Sequence, residues 1–478
     1  MPGLLDLTAP AHDLYDRLLG AALEEGVTRV LPFWADGGDG PDDRLAPAEH
    51  VLAAWPSSVV RARLADLGPN GLGPFLRRAA TALGPKADPR AEVPLHVVYL
   101  AYGAGRAATG NERLFDAGVA AHDDLPDVIV ATYDGYLVAP GARGPWRIVG
   151  DVSQWERRDM VSLTGDAATP GALVDHDVDH QTWRRAFARI QDGIAAGDYY
   201  QVNLARRLVA AFEPRATRDG LALAARALHR AWRATQPTAF ATTWPLDEDA
   251  WLVSASPECL LDWRGDSRVA ASFPIKGTVG RDQTATADEA LATALHASLK
   301  DRAEHVMIVD LVRHDLGRVA RTGTVSVPSL MAELRLKTVR HLVTEVRCEL
   351  AREHDVAALV DVLFPGGSIT GAPKIAAMAE IARSEGFERG PYCGSLGVVR
   401  GGSSARFSIL IRTALLTRDL LSYGTGGGIV SDSEGESELR ETMIKATALR
   451  AALEGGFAVD SGRSSEIGAP PRSKTQRP

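Results

Sequence analysis

The chain has 478 residues, 45% of them hydrophobic, which is ample for a large core. Its 53 basic and 61 acidic side chains leave a net charge of −8, which argues against a nucleic-acid or membrane-surface protein, since either needs a concentrated basic face. No apolar run approaches the ~18 residues of a membrane span, and the opening MPGLLDLTAPAHD lacks the basic and apolar segments of a secretion signal, so a cytoplasmic location is expected.

Residues 1–90 are rich in Ala, Leu, Pro and Gly, and ADGGDGPDD (35–43) reads as an exposed loop. From Pro94 the texture turns to β. Residues 95–102 predict an apolar strand, and 128–133 and 136–138 flank Asp134-Gly135 as a hairpin would. Residues 150–180, acidic and irregular, predict a linker. Trp183, Phe187, Ile190 and Ile194 recur at the spacing of an amphipathic helix, which Gly197 would end, and a strand follows over 200–209. Residues 298–319 predict a helix apolar on most sides and therefore buried. Thr370-Gly-Ala-Pro373 predicts the opening of another helix, with proline in the first turn, where its missing N–H is not needed, and an end near Gly386. Strands are expected over 408–416 and 420–423, and one last helix over 436–453. The tail from about residue 460 has the composition of disordered chain. Cys259, Cys348 and Cys393 form no C-x-x-C pair and read as reduced, buried thiols. Strands and helices alternate without βαβ spacing, which favours an α+β architecture over a doubly wound sheet.

Four groups of residues could carry chemistry. Glu304 follows Asp301 by three residues, and Glu438 and Glu441 form a second i, i+3 pair, so each pair lies on one helical face. Two such faces opposed would make an oxygen cage for a hard cation such as Mg2+, although Lys445, four residues after Glu441, also allows an ordinary surface ion pair. Glu304, on an apolar helix, needs a partner. Lys276, in SFPIKGT (272–278), would be a nucleophile if taken out of water as the neutral amine, while its spacing alone also suits a surface lysine with a buried stem. The run YGTGGGIV (423–430) could converge backbone N–H groups on an anion, but it is neither a P-loop nor G-x-G-x-x-G, and a plain turn explains it as well. Nearby Arg412 could fork onto a carboxylate or serve a structural ion pair. TGAPK (370–374) could present a helix N-terminus to an anion or simply cap that helix through Thr370. G-x-S-x-G, H-E-x-x-H and Cys/His metal clusters are absent. PYCGSLG around Cys393 lacks the surroundings of an amidotransferase nucleophile, so no glutaminase is expected within the chain.

In order along the chain, GDYYQVNLARR, SASPE, PIKGT, KDRAEHVMIVDLVRHDLGRV, VRHLV, FPGGSITGAPK, RGPYCGSLG, FSILIRTA and YGTGGGIVSDSEGESELRETMIKA resemble the chorismate-utilising enzymes. The resemblance covers roughly residues 180–455 and is loose in the N-terminal third. It implies an α+β fold, a complex of stacked antiparallel sheets wrapped by helices. The corresponding division is an N-terminal α/β region over 1–175 interleaved with the core, a chorismate-binding catalytic region over 176–457, and a disordered tail over 458–478. Two positions sort the branches. Gln201 stands where water-adding members carry a lysine and looks like an ammonia-using member. Lys276 stands where anthranilate-forming members carry alanine and matches the branch that makes aminodeoxychorismate. Physically, glutamine cannot act as a general base near neutral pH, whereas lysine can attack carbon.

The resemblance implies Mg2+ held by Glu304 and Glu441 with Glu438 nearby, gripping the ring carboxylate of chorismate. It implies that Arg412, Tyr392 and the backbone of Gly426, Gly427 and Gly428 hold the pyruvyl carboxylate. Lys276 would be the nucleophile and Glu258 the acid for the departing hydroxyl. Gly277, Thr278, His341, Lys445 and Gln201 match other substrate-side positions. The product would be 4-amino-4-deoxychorismate, made from chorismate and ammonia that a glutamine amidotransferase subunit supplies. A separate aminodeoxychorismate lyase would then yield p-aminobenzoate for folate. His314, Cys259 and Gly103 depart from the usual pattern, and Gly103 argues against a regulatory tryptophan site. The alternatives are anthranilate synthase component I, an aminodeoxyisochorismate-forming relative, an isochorismate or salicylate synthase, and a non-catalytic binding subunit.

Overall fold

A computed structural model describes residues 7–36, 49–68, 71–84, 87–110, 125–140, 145–156, 165–175, 180–235, 237–336 and 339–455. The expected tail over 458–478 and most of the loop over 35–43 lie outside them.

Two antiparallel sheets organise the chain. The first runs edge to edge through Gly371–Ala372, Gln201–Ala211, Leu420–Ile429, Thr413–Thr417, Ala250–Ser256, Phe240–Asp247, Phe33–Asp36, His50–Ala53, Gly135–Ala139 and Arg147–Gly150, with Val174–Asp175 also paired to Gln201–Ala211. The second runs through Ile275–Gly280, Val339–Glu349, Val269–Phe273, Cys259–Arg264, Ser404–Ile409, Ser395–Arg400, Leu95–Leu100, Val128–Tyr133 and Ser58–Ala62, with Ser326–Arg335 beside Val339–Glu349. Residues before 175 therefore share both sheets with the second half: Phe33–Asp36 pairs with Phe240–Asp247, and Leu95–Leu100 with Ser395–Arg400.

Side-chain alternation along the strands builds three cores. Val97, Tyr99, Ile129 and Leu396 of the second sheet meet Phe33, Val51, Trp244 and Leu252 of the first in the central layer. On the far side of the second sheet, Val98, Leu100, Leu261 and Phe407 pack with residues of helices Leu72–Ala79, Leu299–Gly317, Val356–Leu363 and Lys374–Ser384. On the far side of the first, Trp34, Leu52, Trp251 and Leu421 pack with Ala11–Glu25, Arg218–Thr235 and Thr447–Glu454. The α+β expectation thus resolves into helices, sheet, sheet and helices. Strands covered on both faces read as continuous apolar runs such as LHVVYL (95–100), which carries no alternation to betray a sheet face.

Several local expectations are corrected. Asp134-Gly135 is not a hairpin: Val128–Tyr133 lies in the second sheet and Gly135–Ala139 in the first, so the chain crosses between layers there. Residues 408–416 are not one strand, because Ser404–Ile409 and Thr413–Thr417 belong to different sheets. The glycine run is no turn but strand, within Leu420–Ile429. Residues 436–453 are broken at Ala446 into Gly435–Lys445 and Thr447–Glu454. Leu299–Gly317 buries only the stripe His305, Ile308, Val309, Val312, Asp315 and Leu316, and leaves Val306 exposed. Pro373 precedes its helix as the N-cap residue, since Gly371–Ala372 is held as strand against Gln201 and Val202. The stretch expected as linker carries the buried Trp155.

A buried ion pair knots these parts. Arg389 and Glu385, each side chain 1% exposed, meet through Nε–Oε2 at 2.8 Å and Nη2–Oε1 at 2.5 Å. Glu385 Oε1 also accepts the Ala205 amide at 2.8 Å, and Arg389 donates to the Ile369 and Asn203 carbonyls at 2.8 and 2.9 Å. The guanidinium carbon lies 4.7 Å from the ring centre of Tyr102 and 5.8 Å from that of Tyr392. Breaking such a pair leaves an uncompensated buried carboxylate. Arg389→Ala is expected to cost about 3–5 kcal/mol in urea unfolding, and Arg389→Met with Glu385→Leu to recover most of it. A loss in the single variant below about 1 kcal/mol would show that the pair does not hold the fold.

Candidate active site

Two neighbouring strand crossings create the centre of the site. The chain leaves the first sheet after Ser256 and enters the second at Cys259, which places Glu258 in the crossing. It returns from the second sheet to the first between Ile409 and Thr413, which places Arg412 in the other. The crossings are tied together. Ile409 N donates to Glu258 O at 3.1 Å, Ala255 N donates to Arg412 O at 3.0 Å, and Ser256 Oγ donates to Ile409 O at 2.5 Å. Arg412 takes a φ of +50°, a left-handed conformation that non-glycine residues adopt rarely. Its guanidinium, a permanent charge, has no hydrogen-bond or ion-pair partner among the described residues. Glu258 is 4% exposed and accepts from Ser368 Oγ at 2.6 Å. Burial pushes its carboxyl up to about 7, against the opposing pull of Ser368 and the nearby Lys276.

Lys276 is presented by a bulge. Ile275 pairs with Val343 and Thr278 with His341, so one extra residue is accommodated at Lys276-Gly277, and Gly277 takes a φ of +83°. Thr278 Oγ1 and His341 Nδ1 are 2.7 Å apart. Burial, with Arg412 adding to it, pushes His341 down to about 3, so the ring is neutral, and its buried Nε2 has no partner. The Lys276 carbonyl lies 3.1 Å from His305 Nδ1, whose Nε2 is 2.6 Å from Thr344 Oγ1.

The glycine run makes room for these groups. Leu420–Ile429 pairs along its length with Gln201–Ala211, but with Thr413–Thr417 only from Leu421 to Tyr423. Beyond Tyr423 that edge has no strand neighbour among the described residues. A Cβ on Gly428 would stand 3.1 Å from Lys276 Nζ and 3.0 Å from Gln201 Nε2. The amine and the amide therefore converge on one point. Gln201 is fully buried, and neither its Nε2 nor its Oε1 has a partner among the described residues. A Cβ on Gly427 would stand 3.2 Å from Glu438 Oε2, and one on Gly424 would strike the Tyr392 ring. The Gly426 carbonyl accepts from Lys445 Nζ at 2.8 Å.

The carboxylates do face one another, with lysines between them. Glu304 Oε2 is 3.9 Å from Lys276 Nζ, Glu438 Oε1 is 3.3 Å from Lys300 Nζ, and Glu441 Oε1 is 2.8 Å from Lys445 Nζ. Burial raises the Glu304 carboxyl above its ordinary value, and neighbouring Glu438 adds to this. Against the cost of partial burial, Lys445 holds half-exposed Glu441 below its own. No three carboxylate, thiolate or imidazole groups among the described residues lie close enough together to hold a metal ion unaided. The donors are nonetheless hard carboxylate oxygens gathered around positive charge. That set suits a divalent cation which keeps water and takes further ligands from an anionic substrate.

Lys276, Glu258, Gln201, Gly277, Thr278, His341, Arg412, Gly427, Gly428, Glu304, Glu438, Glu441 and Lys445 thus share one region, with Tyr392 against Gly424 and Gly426 against Lys445. Two other expected groups behave differently. Asp301 caps its helix, its backbone N–H donating to Ser298 Oγ, while its charge adds to the rise of the Glu304 carboxyl. Lys374 is buried against Asp315 at 2.8 Å and the Val362 and Leu363 carbonyls, so TGAPK offers no cation to an anion. Ser368 and Lys300 were missed. FPGGSITGAPK was read for its helix start rather than its serine, and the i, i+4 spacing of Lys300 and Glu304 could have flagged the lysine.

A family described as chorismate binding enzyme matches residues 74–451. Aminodeoxychorismate synthase component 1 of Klebsiella aerogenes is 37% identical over 336 residues, which is 69% of this chain and 72% of that protein. Anthranilate synthase component 1 of Streptomyces coelicolor is 39% identical over 266 residues, 56% of this chain, so the match spans half (50%) of that relative's length. Among solved structures, anthranilate synthase component I from Streptococcus pneumoniae superimposes with a TM-score of 0.68 at 24% identity, covering 84% of this chain and 92% of that one. The menaquinone-specific isochorismate synthase from Escherichia coli gives 0.68 at 20% identity, covering 93% and 92%. The two structural likenesses speak for the fold. No helix among the described residues is long and apolar enough to cross a membrane. By the family match over residues 74–451 and the Klebsiella aerogenes relative, the chain belongs to the chorismate-binding enzyme family.

Proposed function

We propose that this chain aminates chorismate with ammonia to 4-amino-4-deoxychorismate. The observation that carries the reading is the convergence on Gly428 of Lys276 and the Gln201 amide, which has no partner among the described residues, with Glu258 near enough to feel the lysine's charge and raised to about 7. A nucleophilic amine and an acid of suitable pKa are what displacement of a ring hydroxyl needs. An isochorismate-type hydration would need a base where Gln201 stands.

Arg412, whose guanidinium has no hydrogen-bond partner among the described residues, pairs with the pyruvyl carboxylate, aided by the backbone of the glycine run. Neutral His341, oriented by Thr278, presents its free Nε2 to the substrate. Mg2+ held by Glu304, Glu438 and Glu441 would supply the charge that pairs with the ring carboxylate. Lys276 Nζ bonds to ring C2 as the C4–O bond breaks, and Glu258 gives its proton to the departing hydroxyl, which leaves as water. Ammonia then bonds to C4 and the C2–Nζ bond breaks, returning the lysine. The surplus proton of the new ammonium restores Glu258. The sum is chorismate plus ammonia giving aminodeoxychorismate plus water. The "component 1" names of the relatives support a separate partner, which we assign as a glutamine amidotransferase supplying ammonia. The product keeps its pyruvyl ether, so a lyase must follow on the way to p-aminobenzoate and folate. A second reading, anthranilate formation, is favoured by the Streptomyces coelicolor relative. Lys276 and Gln201 weigh towards the first.

The deciding experiment incubates the full chain with chorismate, Mg2+ and ammonium salt and resolves the products by mass. p-Aminobenzoate appearing only after an aminodeoxychorismate lyase is added is the expected result; anthranilate without lyase would refute it. Lys276→Ala should abolish amination while chorismate Kd stays within about tenfold, and undiminished turnover would exclude the covalent step. Gly428→Ala should lower kcat/KM by about tenfold to hundredfold with an unchanged melting temperature, because its methyl would displace Lys276 and Gln201. Chelation should abolish activity and Mg2+ restore it, with Glu441→Gln raising the Mg2+ concentration required; a metal titration the same as wild type would remove Glu441 from the set.

A further inference from the structure

FPGGSITGAPK contributes a serine whose place is unusually constrained. Ser368 lies on the 3-10 turn Gly367–Ile369, 7% exposed, with its Oγ 2.6 Å from Glu258 Oε1. The turn cannot slide. A Cβ on Gly366 would come within 2.7 Å of Ile409 Cδ1, and one on Gly367 within 2.5 Å of Leu311 Cδ2, so both glycines let the backbone pack flat. Thr370 Oγ1 donates to the Gly366 carbonyl at 2.9 Å, and Arg389 Nη1 grips the Ile369 carbonyl at 2.8 Å. The hydroxyl is therefore held in place from both sides. Ser368 is the one side chain that donates to the Glu258 carboxyl among the described residues; the Ile275 amide also donates, and Lys276 and Arg412 are the charges that face it.

We propose that Ser368 is the positioning residue for the acid, a role that rests on the reading of Glu258 as proton donor. Its hydrogen bond makes Oε1 the poorer place for the proton and turns the protonated oxygen to the departing hydroxyl. As the proton leaves, charge develops on the carboxylate in a buried setting, and the bond from Ser368 strengthens. The serine thereby acts on the transition state more than on bound chorismate. It also holds the ionisation of Glu258 lower than burial alone would, close to neutrality, where an acid both keeps and yields its proton.

The sign of the test follows. The acid must be protonated, so kcat falls as pH rises through its ionisation. Without the serine the carboxylate loses a donor, its pKa rises, and this alkaline descent moves to higher pH. Ser368→Ala, assayed as the full chain with ammonium salt, is expected to lower kcat about tenfold to hundredfold, leave KM for chorismate unchanged, and move the descent up by about one unit. Ser368→Thr, which keeps the hydroxyl, should restore the wild-type profile. An infrared titration of the isotope-labelled carboxyl stretch reads the same shift without turnover, with Glu258→Gln identifying the band. If Glu258→Gln keeps full kcat, the assignment of the acid itself fails. If Glu258→Gln is inactive while Ser368→Ala keeps the wild-type kcat, descent and infrared midpoint, the acid stands and the role of Ser368 is refuted.

Discussion

One wall of the candidate site is built around a charge pair that is almost wholly buried. Glu385 and Arg389 lie where a sheet strand, a glycine-rich turn and the end of a helix come together, and the strand and the turn give them backbone groups. A buried pair of this kind adds little net stability over apolar packing, because both ions pay for desolvation. Its value here is geometric. The Gln201–Ala211 strand, the turn bearing Ser368 and the aromatic rings of Tyr102 and Tyr392 are indexed to one guanidinium plane. Glu258, through Ser368, and Gln201, through its strand, are both referred to that one ion pair.

Around this knot the site keeps its charges in alternation. Lys276, Lys300 and Lys445 stand between Glu304, Glu438 and Glu441, so no carboxylate faces another without an ammonium nearby. In a cavity of low dielectric, like charges brought together would protonate or open the site. Of the candidate site's own groups, the Gln201 amide, the His341 Nε2 and the Arg412 guanidinium have no hydrogen-bond partner among the described residues. They lie along the path from the glycine edge to the strand crossings. A doubly anionic ring substrate would find positive or hydrogen-bonding groups along its length.

How much of this was readable in the sequence depended on whether a residue's role was local. The helix carrying Trp183 and Ile190 was legible because its 3.6-residue period is set by its own burial. The α+β class and the grouping of Lys276, Glu258, Arg412 and the three carboxylates also came through, the grouping by resemblance rather than by spacing. The crossings were not legible. Tyr133 and Gly135, or Ile409 and Thr413, are neighbours in an apolar run, and nothing in that run says that successive residues join different sheets. The glycine triplet misled for a related reason: glycine commonly signals a turn, but here the absent Cβ serves side chains from distant strands. Ser368 was invisible because its meaning lies in a contact 110 residues away.

The strand order has a consequence for how the chain comes to be folded. Leu420–Ile429 and Thr413–Thr417 sit in the middle of the first sheet, between Gln201–Ala211 and Ala250–Ser256, yet they are among the last strands to be synthesised. Until they arrive, the two strands they separate have unsatisfied edges, and Phe33–Asp36 can pair only with strands on one side of that gap. Closing the sheet means joining residues some two hundred positions apart, a high-contact-order step that is slow and leaves apolar edges open to wrong partners. Until then the sheet stands as two separate parts, each with one edge waiting for the late strands. The glycine strand that makes room for Lys276 and Gln201 is also the piece whose arrival joins the two parts.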